Sequence, residues 1–163
     1  MVAKTYLFDF DGTLVDSMPS YIHAMLSVLD ERGVVYPSDL VKTMLRLAET
    51  KTDLNVVGDQ IGSPTYTYDL SLLLCDMIVT EKFGTYHATN EGVCSWAEFA
   101  AEIMKQSGKQ MQIHSIPTSE YPTRASRPLN SRMSKDKLEE NGFTRLPHWQ
   151  DALARYLKEI QEL

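Results

Sequence analysis

Apolar positions along this chain fall into short runs separated by turn residues and longer stretches of helical spacing, alternating for most of its length. Thr5 to Phe10 is a compact apolar run ended by Asp11-Gly12-Thr13, the pattern of a buried strand feeding a tight loop. Ser17 is placed to cap a helix, Pro19 suits its first turn, Ile22, Met25, Leu26 and Leu29 recur on one face, and Gly33 ends it. A second helix is predicted from Ser38 to about Glu49. Leu54 to Val57 then reads as a buried strand that stops at Gly58-Asp59 and turns at Gly62-Ser63-Pro64.

The second half continues the alternation. Asp69 to about Glu81 is a strongly apolar helix, and Gly84 to Ala88 reads as a short strand. Ser95-Trp96-Ala97-Glu98 is a capping box opening a helix that ends at Gly108, and Met111 to Ile116 is the next strand. Pro117 to Asn130, with three prolines and two arginines, excludes a regular element and is expected to be an ordered loop. Ser134 to Asn141 is a short helix closed by Gly142. The last helix starts near Pro147 and carries Trp149, Leu153, Tyr156, Leu157 and Ile160 on its apolar stripe. The expected fold is α/β: an incomplete, mainly parallel sheet with strands at Thr5, Leu54, Gly84 and Met111, covered by helices. Trp96 and Trp149 are expected as core anchors, His87 as a core histidine, and Cys75 and Cys94 as two reduced packing thiols.

Totals narrow the function classes. At 163 residues with 43% hydrophobic content the chain can bury a core, and its net charge of −6 lacks the basic face of a nucleic-acid binder. The opening MVAKTYLFDFDG turns acidic after a few apolar positions, so it reads as neither an export signal nor a membrane span, and a cytoplasmic protein is expected. Five cations, Arg124, Arg127, Arg132, Lys135 and Lys137, gather within an otherwise acidic chain. Guanidinium groups suit a diphosphate, and prolines at 117, 122 and 128 would stiffen the loop that carries them. The alternative is a solvated stretch pairing with Glu139 and Glu140.

Two segments carry chemistry of different kinds. Asp9-Phe10-Asp11-Gly12-Thr13 puts two carboxylates two residues apart at a strand end, where alternation aims both to one side. Such a pair can divide labour, Asp9 attacking a phosphorus and Asp11 protonating the leaving oxygen, with Mg²⁺ neutralising charge. The segment resembles the first motif of haloacid-dehalogenase-like phosphatases, which implies a metal site of Asp9, Asp11 and a later acid, for which Asp59 is the candidate. Fewer than 50 residues separate Asp11 from Asp59, too few for the βα crossovers of that core, at roughly 30 residues each. The resemblance covers residues 1–40.

From Val41 onward the chain is similar to another family. Val41-Lys42-Thr43-Met44-Leu45, Asp59-Gln60-Ile61-Gly62-Ser63-Pro64-Thr65-Tyr66, Gly84-Thr85-Tyr86-His87-Ala88, Ser95 to Ala100, Arg127-Pro128-Leu129-Asn130-Ser131-Arg132 and Leu146 to Asp151 resemble the carboxyl-terminal, substrate-binding part of dTDP-4-dehydrorhamnose reductases, extended short-chain dehydrogenases. The resemblance implies that residues 41–163 bind a dTDP-sugar, with Gln60, Thr65, Arg127, Asn130 and Arg132 as substrate-binding residues. The residues alone leave Gln60 and Thr65 between ligand contact and turn capping. The full-length family implies NAD(P)H, yet the chain has neither the Gly-x-x-Gly-x-x-Gly loop nor a Tyr-x-x-x-Lys pair, so no cofactor is expected on this chain alone. The expectation is a composite: residues 1–40 phosphatase-like, residues 41–163 reductase-like, joined near Val41 to Thr43, possible as a homo-oligomer. A Mg²⁺-dependent phosphatase and a chimeric chain without function are the alternatives.

Overall fold

The computed structural model describes residues 40–121 and 127–161. The strand expected at Thr5 and the helix expected from Ser17 to Gly33, with Asp9 and Asp11, lie outside these residues. Helix α1 (Leu40–Leu47) leads into strand β1 (Asp53–Val57), and β1 pairs in parallel with β5 (Gln112–Ile116), Leu54 opposite Ile113 and Val57 opposite Ile116. Between them come β2 (Ile61–Gly62), α2 (Thr67–Ile78), β3 (Asn90–Glu91), β4 (Cys94–Ser95) and α3 (Trp96–Ser107). After β5 the chain makes a 3-10 turn at Thr118–Glu120, then α4 (Asp136–Glu140), β6 (Leu146–His148) and α5 (Trp149–Gln161). β2 pairs antiparallel with β4, and β3 pairs in parallel with β6. The α/β class and the parallel pairing of the strands read at Leu54 and Met111 are as the sequence predicts.

Helix α3 is the centre of packing, and its sequence explains why. Ser95 Oγ accepts from Glu98 N at 3.1 Å while the Glu98 carboxylate accepts from Ser95 N at 2.7 Å, so the capping box is formed on both sides. Gly108 ends the helix with φ +70°, a left-handed conformation that a side chain would strain. Phe99, Ala100 and Ile103 are wholly buried; around them lie Val41 and Met44 of α1, Val56 of β1, and Trp149, Ala152, Leu153, Tyr156 and Leu157 of α5. A smaller cluster joins Leu73 of α2, Leu138 of α4, Phe143 and Leu146.

Several sequence expectations are corrected. Residues 84–88 form no strand; Gly84 has φ +144°, and Tyr86 folds back so that its hydroxyl donates to Lys82 O at 2.9 Å while its ring meets Phe143 edge-on. Pairing begins instead at Asn90, two residues beyond the expected strand, against β6, which the helical pattern around Pro147 concealed. Trp149 is a core anchor, stacked edge-to-face with Phe99 at 5.7 Å, but Trp96 is 43% exposed. His87 is exposed. Both cysteines are free; Cys94 is buried, and burial followed by the Glu98 charge pushes its thiol up to about 12, whereas Cys75 is exposed because α2 buries the face of Asp69 and Leu73.

Candidate functional site

Parallel strands present their carboxyl ends at one edge, the position α/β proteins use for ligands. Here the edge is built by β1 and β5. Gly58 N donates to Ile116 O at 2.9 Å, extending the ladder one residue past β1. A Cβ on Gly58 would stand 1.8 Å from Ser115 Oγ and 3.1 Å from Ser115 Cβ, so a side chain here would require Ser115 to turn away. Thr118 then donates its N–H to both Asp59 carboxylate oxygens at 2.9 Å and its hydroxyl to Oδ1 at 2.5 Å. The Thr118 hydroxyl, then its N–H, hold the Asp59 carboxyl below the ordinary carboxylate range. Gln60 Nε2 donates to Thr118 Oγ1 at 3.0 Å.

The basic arm docks on the same loop. Ile61 N donates to Leu129 O, and Ser131 N to Ile61 O, both at 2.9 Å, a parallel bridge that sets Asn130 beside Ile61. Asn130 Oδ1 accepts from Arg132 N at 3.1 Å and Arg132 Nε at 2.9 Å. One nitrogen of the guanidinium is thereby fixed. Its two terminal nitrogens make no hydrogen bond or ion pair with a described residue, and Arg127, Asn130 and Arg132 are all exposed.

The structure therefore brings Gln60, Asn130 and Arg132 to one loop cluster, with Arg127 on the arm two residues ahead of the docked Leu129. Thr65 is not brought there: it is 3% exposed and its hydroxyl donates to Ser63 O at 3.3 Å, so turn capping is its role in the fold. Lys135 and Lys137 are also used elsewhere. Lys135 is buried, 2.9 Å from Glu91 Oε1, and donates to Asn90 O, while Lys137 lies over the Tyr86 ring at 4.9 Å. Glu139, an expected partner for these lysines, pairs with Arg145 at 2.9 Å. Arg124 lies outside the described residues. Sequence reasoning missed Thr118, the residue on which Asp59 and Gln60 converge; a threonine following Pro117 carries no local signal of contacts 59 and 58 residues back.

Neither a metal nor a dinucleotide is favoured by this edge. Asp59 spends both oxygens on Thr118, and among the described residues no group of three or more His, Cys, Asp or Glu is placed to hold a metal ion. The space beside Gly58 is filled by Ser115, not open to a phosphate, and a carboxylate one residue on would repel a pyrophosphate; these residues do not fit NAD(P)H. A groove of about 350 Å³ lies elsewhere, lined among others by Val93, Cys94, Glu98, Glu102 and Trp149, and none of the predicted ligand residues reaches it. No helix among the described residues is long and apolar enough to cross a membrane.

A parallel strand edge carrying an amide, a docked arm and two exposed arginines defines the class: an α/β domain with polar and cationic side chains gathered at the carboxyl end of its strands. The chain belongs to the RmlD substrate binding domain family, whose profile matches residues 21–162. It is 48% identical over 122 residues to the spore coat polysaccharide biosynthesis protein SpsK of Bacillus subtilis (strain 168), covering 75% of this chain and 42% of that protein. It is 39% identical over 133 residues to a dTDP-4-dehydrorhamnose reductase of Sinorhizobium fredii (strain NBRC 101917 / NGR234), covering 74% and 44%. Among solved structures, the dTDP-4-dehydrorhamnose reductase of Bacillus anthracis str. Ames in complex with NADP superposes with a TM-score of 0.71 at 40% identity, covering 76% of this chain and 44% of that one. The chain thus spans less than half the length of these relatives.

Proposed function

We propose that this chain is the sugar-nucleotide-binding portion of a dTDP-4-dehydrorhamnose reductase-like protein of the cytoplasm, that it binds a dTDP-sugar, and that it transfers no hydride and holds no NAD(P)H by itself. The division into residues 1–40 and 41–163 is part of the same proposal. The observation that carries it is the docking of the Leu129–Arg132 arm on Ile61, which gathers Gln60, Asn130 and Arg132 at the carboxyl edge of β1 and β5. Arg127 and Arg132 supply the charge for the diphosphate, and Gln60 and Asn130 the directional polar contacts. Tyr-x-x-x-Lys occurs nowhere in the 163 residues, so the proton for carbonyl reduction has no such donor on this chain.

A ligand that binds only the native state stabilises it by mass action, by about 2.7 kcal/mol at 100 times its Kd, and so raises the melting temperature. Millimolar dTDP or dTDP-glucose is expected to give such a shift, and Arg132→Ala to weaken binding about tenfold, the size of one charge-assisted hydrogen bond. An unshifted melting curve with either nucleotide would defeat the reading.

Self-association belongs to the same reading. Tyr68, Leu72 and Val79 form an exposed apolar stripe along α2 and just past it. Sedimentation velocity at micromolar concentration should show a species heavier than 18.5 kDa, and a stable monomer would refute the association.

A further inference from the structure

Thr118 Oγ1 sits between two polar side chains and has one proton to give. The Asp59 oxygen at 2.5 Å belongs to an ionised carboxylate, which only accepts, so the proton is committed there. The contact with Gln60 at 3.0 Å must then run the other way, with Gln60 donating from Nε2. A carboxamide turned with its nitrogen inward turns its carbonyl outward. Gln60 is partly exposed, and its Oε1 accepts from no described residue. The chain of polarity is therefore fixed from the inside: the charge on Asp59 orients the hydroxyl of Thr118, and the hydroxyl orients the amide of Gln60.

We infer that Gln60 is a specificity-determining residue whose outward carbonyl demands an N–H or O–H donor from the ligand, and that Asp59 and Thr118 are the positioning residues that hold it in that orientation. This rests on the dTDP-sugar reading of the same edge. Two parts of such a ligand offer a donor: the imide N–H of the pyrimidine and a hydroxyl of the sugar. A buried or half-buried acceptor left facing a group without a hydrogen loses its partner, which is how a polar contact rejects an analogue more strongly than an apolar pocket can.

Titration calorimetry on the full chain separates these sources. The ligands are dTDP, its N3-methyl derivative and dTDP-glucose, and the proteins are wild type, Thr118→Ser, Thr118→Val and Asp59→Asn. If the base supplies the donor, wild type prefers dTDP over the N3-methyl form by about tenfold; if the sugar does, it prefers dTDP-glucose over dTDP by a similar factor. Thr118→Ser, which keeps the hydroxyl, should retain that preference. Thr118→Val, similar in shape, should lose it, as should Asp59→Asn, whose amide can donate to Thr118 and reverse the relay. The unliganded chain gives an independent reading, a cross-relaxation peak between the Gln60 side-chain amide protons and the Thr118 β-proton. Its absence would overturn the relay whatever binds, and so would a Thr118→Val protein that keeps the wild-type preference. Wild type that binds none of the three ligands would bring down the dTDP-sugar reading as well, whereas wild type that binds all three alike would bring down only the role of Gln60.

Discussion

Asp69→Ala is expected to lower the unfolding free energy by about 2–4 kcal/mol, below the roughly 3–5 kcal/mol of a fully buried charge pair because its partner reaches water. Asp69 is 5% exposed and sits in the first turn of α2. Its two oxygens receive Arg155 Nη1 at 2.7 Å and Nη2 at 2.8 Å, and Oδ2 also receives Asn90 Nδ2 at 2.7 Å. Asn90 is wholly buried and both of its donors are used: its amide also donates to Pro147 O, and its Oδ1 accepts from Tyr66 N at 2.7 Å. Removing the carboxylate strands one amide hydrogen of buried Asn90 where water cannot replace the loss, while Arg155, which reaches water, keeps Asp151 Oδ2 at 2.9 Å. The network ties the end of the 58–66 loop to β3, β6 and α5, so the variant should also weaken dTDP binding without touching the ligand edge. Asp69→Asn keeps an acceptor for Asn90 and should fall between. Urea midpoints measure all three proteins; an Asp69→Ala midpoint equal to wild type would show that the network contributes nothing.

Phe99→Ala is expected to cost about 3–5 kcal/mol, the range for truncating a buried aromatic. Phe99 is wholly buried in the first turn of α3, its ring edge-on to Trp149 at 5.7 Å, within a core that α1, β1 and α5 share. The lost ring leaves a cavity that three elements would have to move to fill, and close-packed interiors relax only in part. Trp96 is the control. It is a larger side chain three residues earlier on the same helix, but at 43% exposed its replacement by alanine should change stability by no more than about 0.5 kcal/mol. If thermal melts ranked Trp96→Ala as the worse of the two, the placement of α3 in the core would be wrong.

That contrast marks how far local pattern reaches. The capping box at Ser95 and the stop at Gly108 are both written within a few residues, and both hold, because a cap is satisfied by its own helix. Which of two tryptophans enters the core is not local: Trp96 and Trp149 both begin helices, and only the neighbours supplied by the rest of the chain separate them. The same holds at the carboxyl edge of β1 and β5. Motif resemblance singled out Gln60, Asn130 and Arg132, but that they lie in one loop cluster with Thr118 is a tertiary fact, and Thr65 caps its own turn. Of five cations that looked alike in sequence, Lys135 is buried and paired, Lys137 lies exposed over the Tyr86 ring, and Arg127 and Arg132 are exposed.

The sequence by itself determined the alternation of strands and helices, their principal ends, and the family, since periodicity, caps and motif order depend on near neighbours and on residue identity. Tertiary structure alone decided the pairing of Asn90–Glu91 with Leu146–His148, the role of Asn90 as a buried hub, and the convergence of Asp59 and Gln60 on Thr118. Each of these is a hydrogen-bonded match between groups tens of residues apart. Such a match exists only once packing has brought both partners out of water and made an unpaired polar group costly.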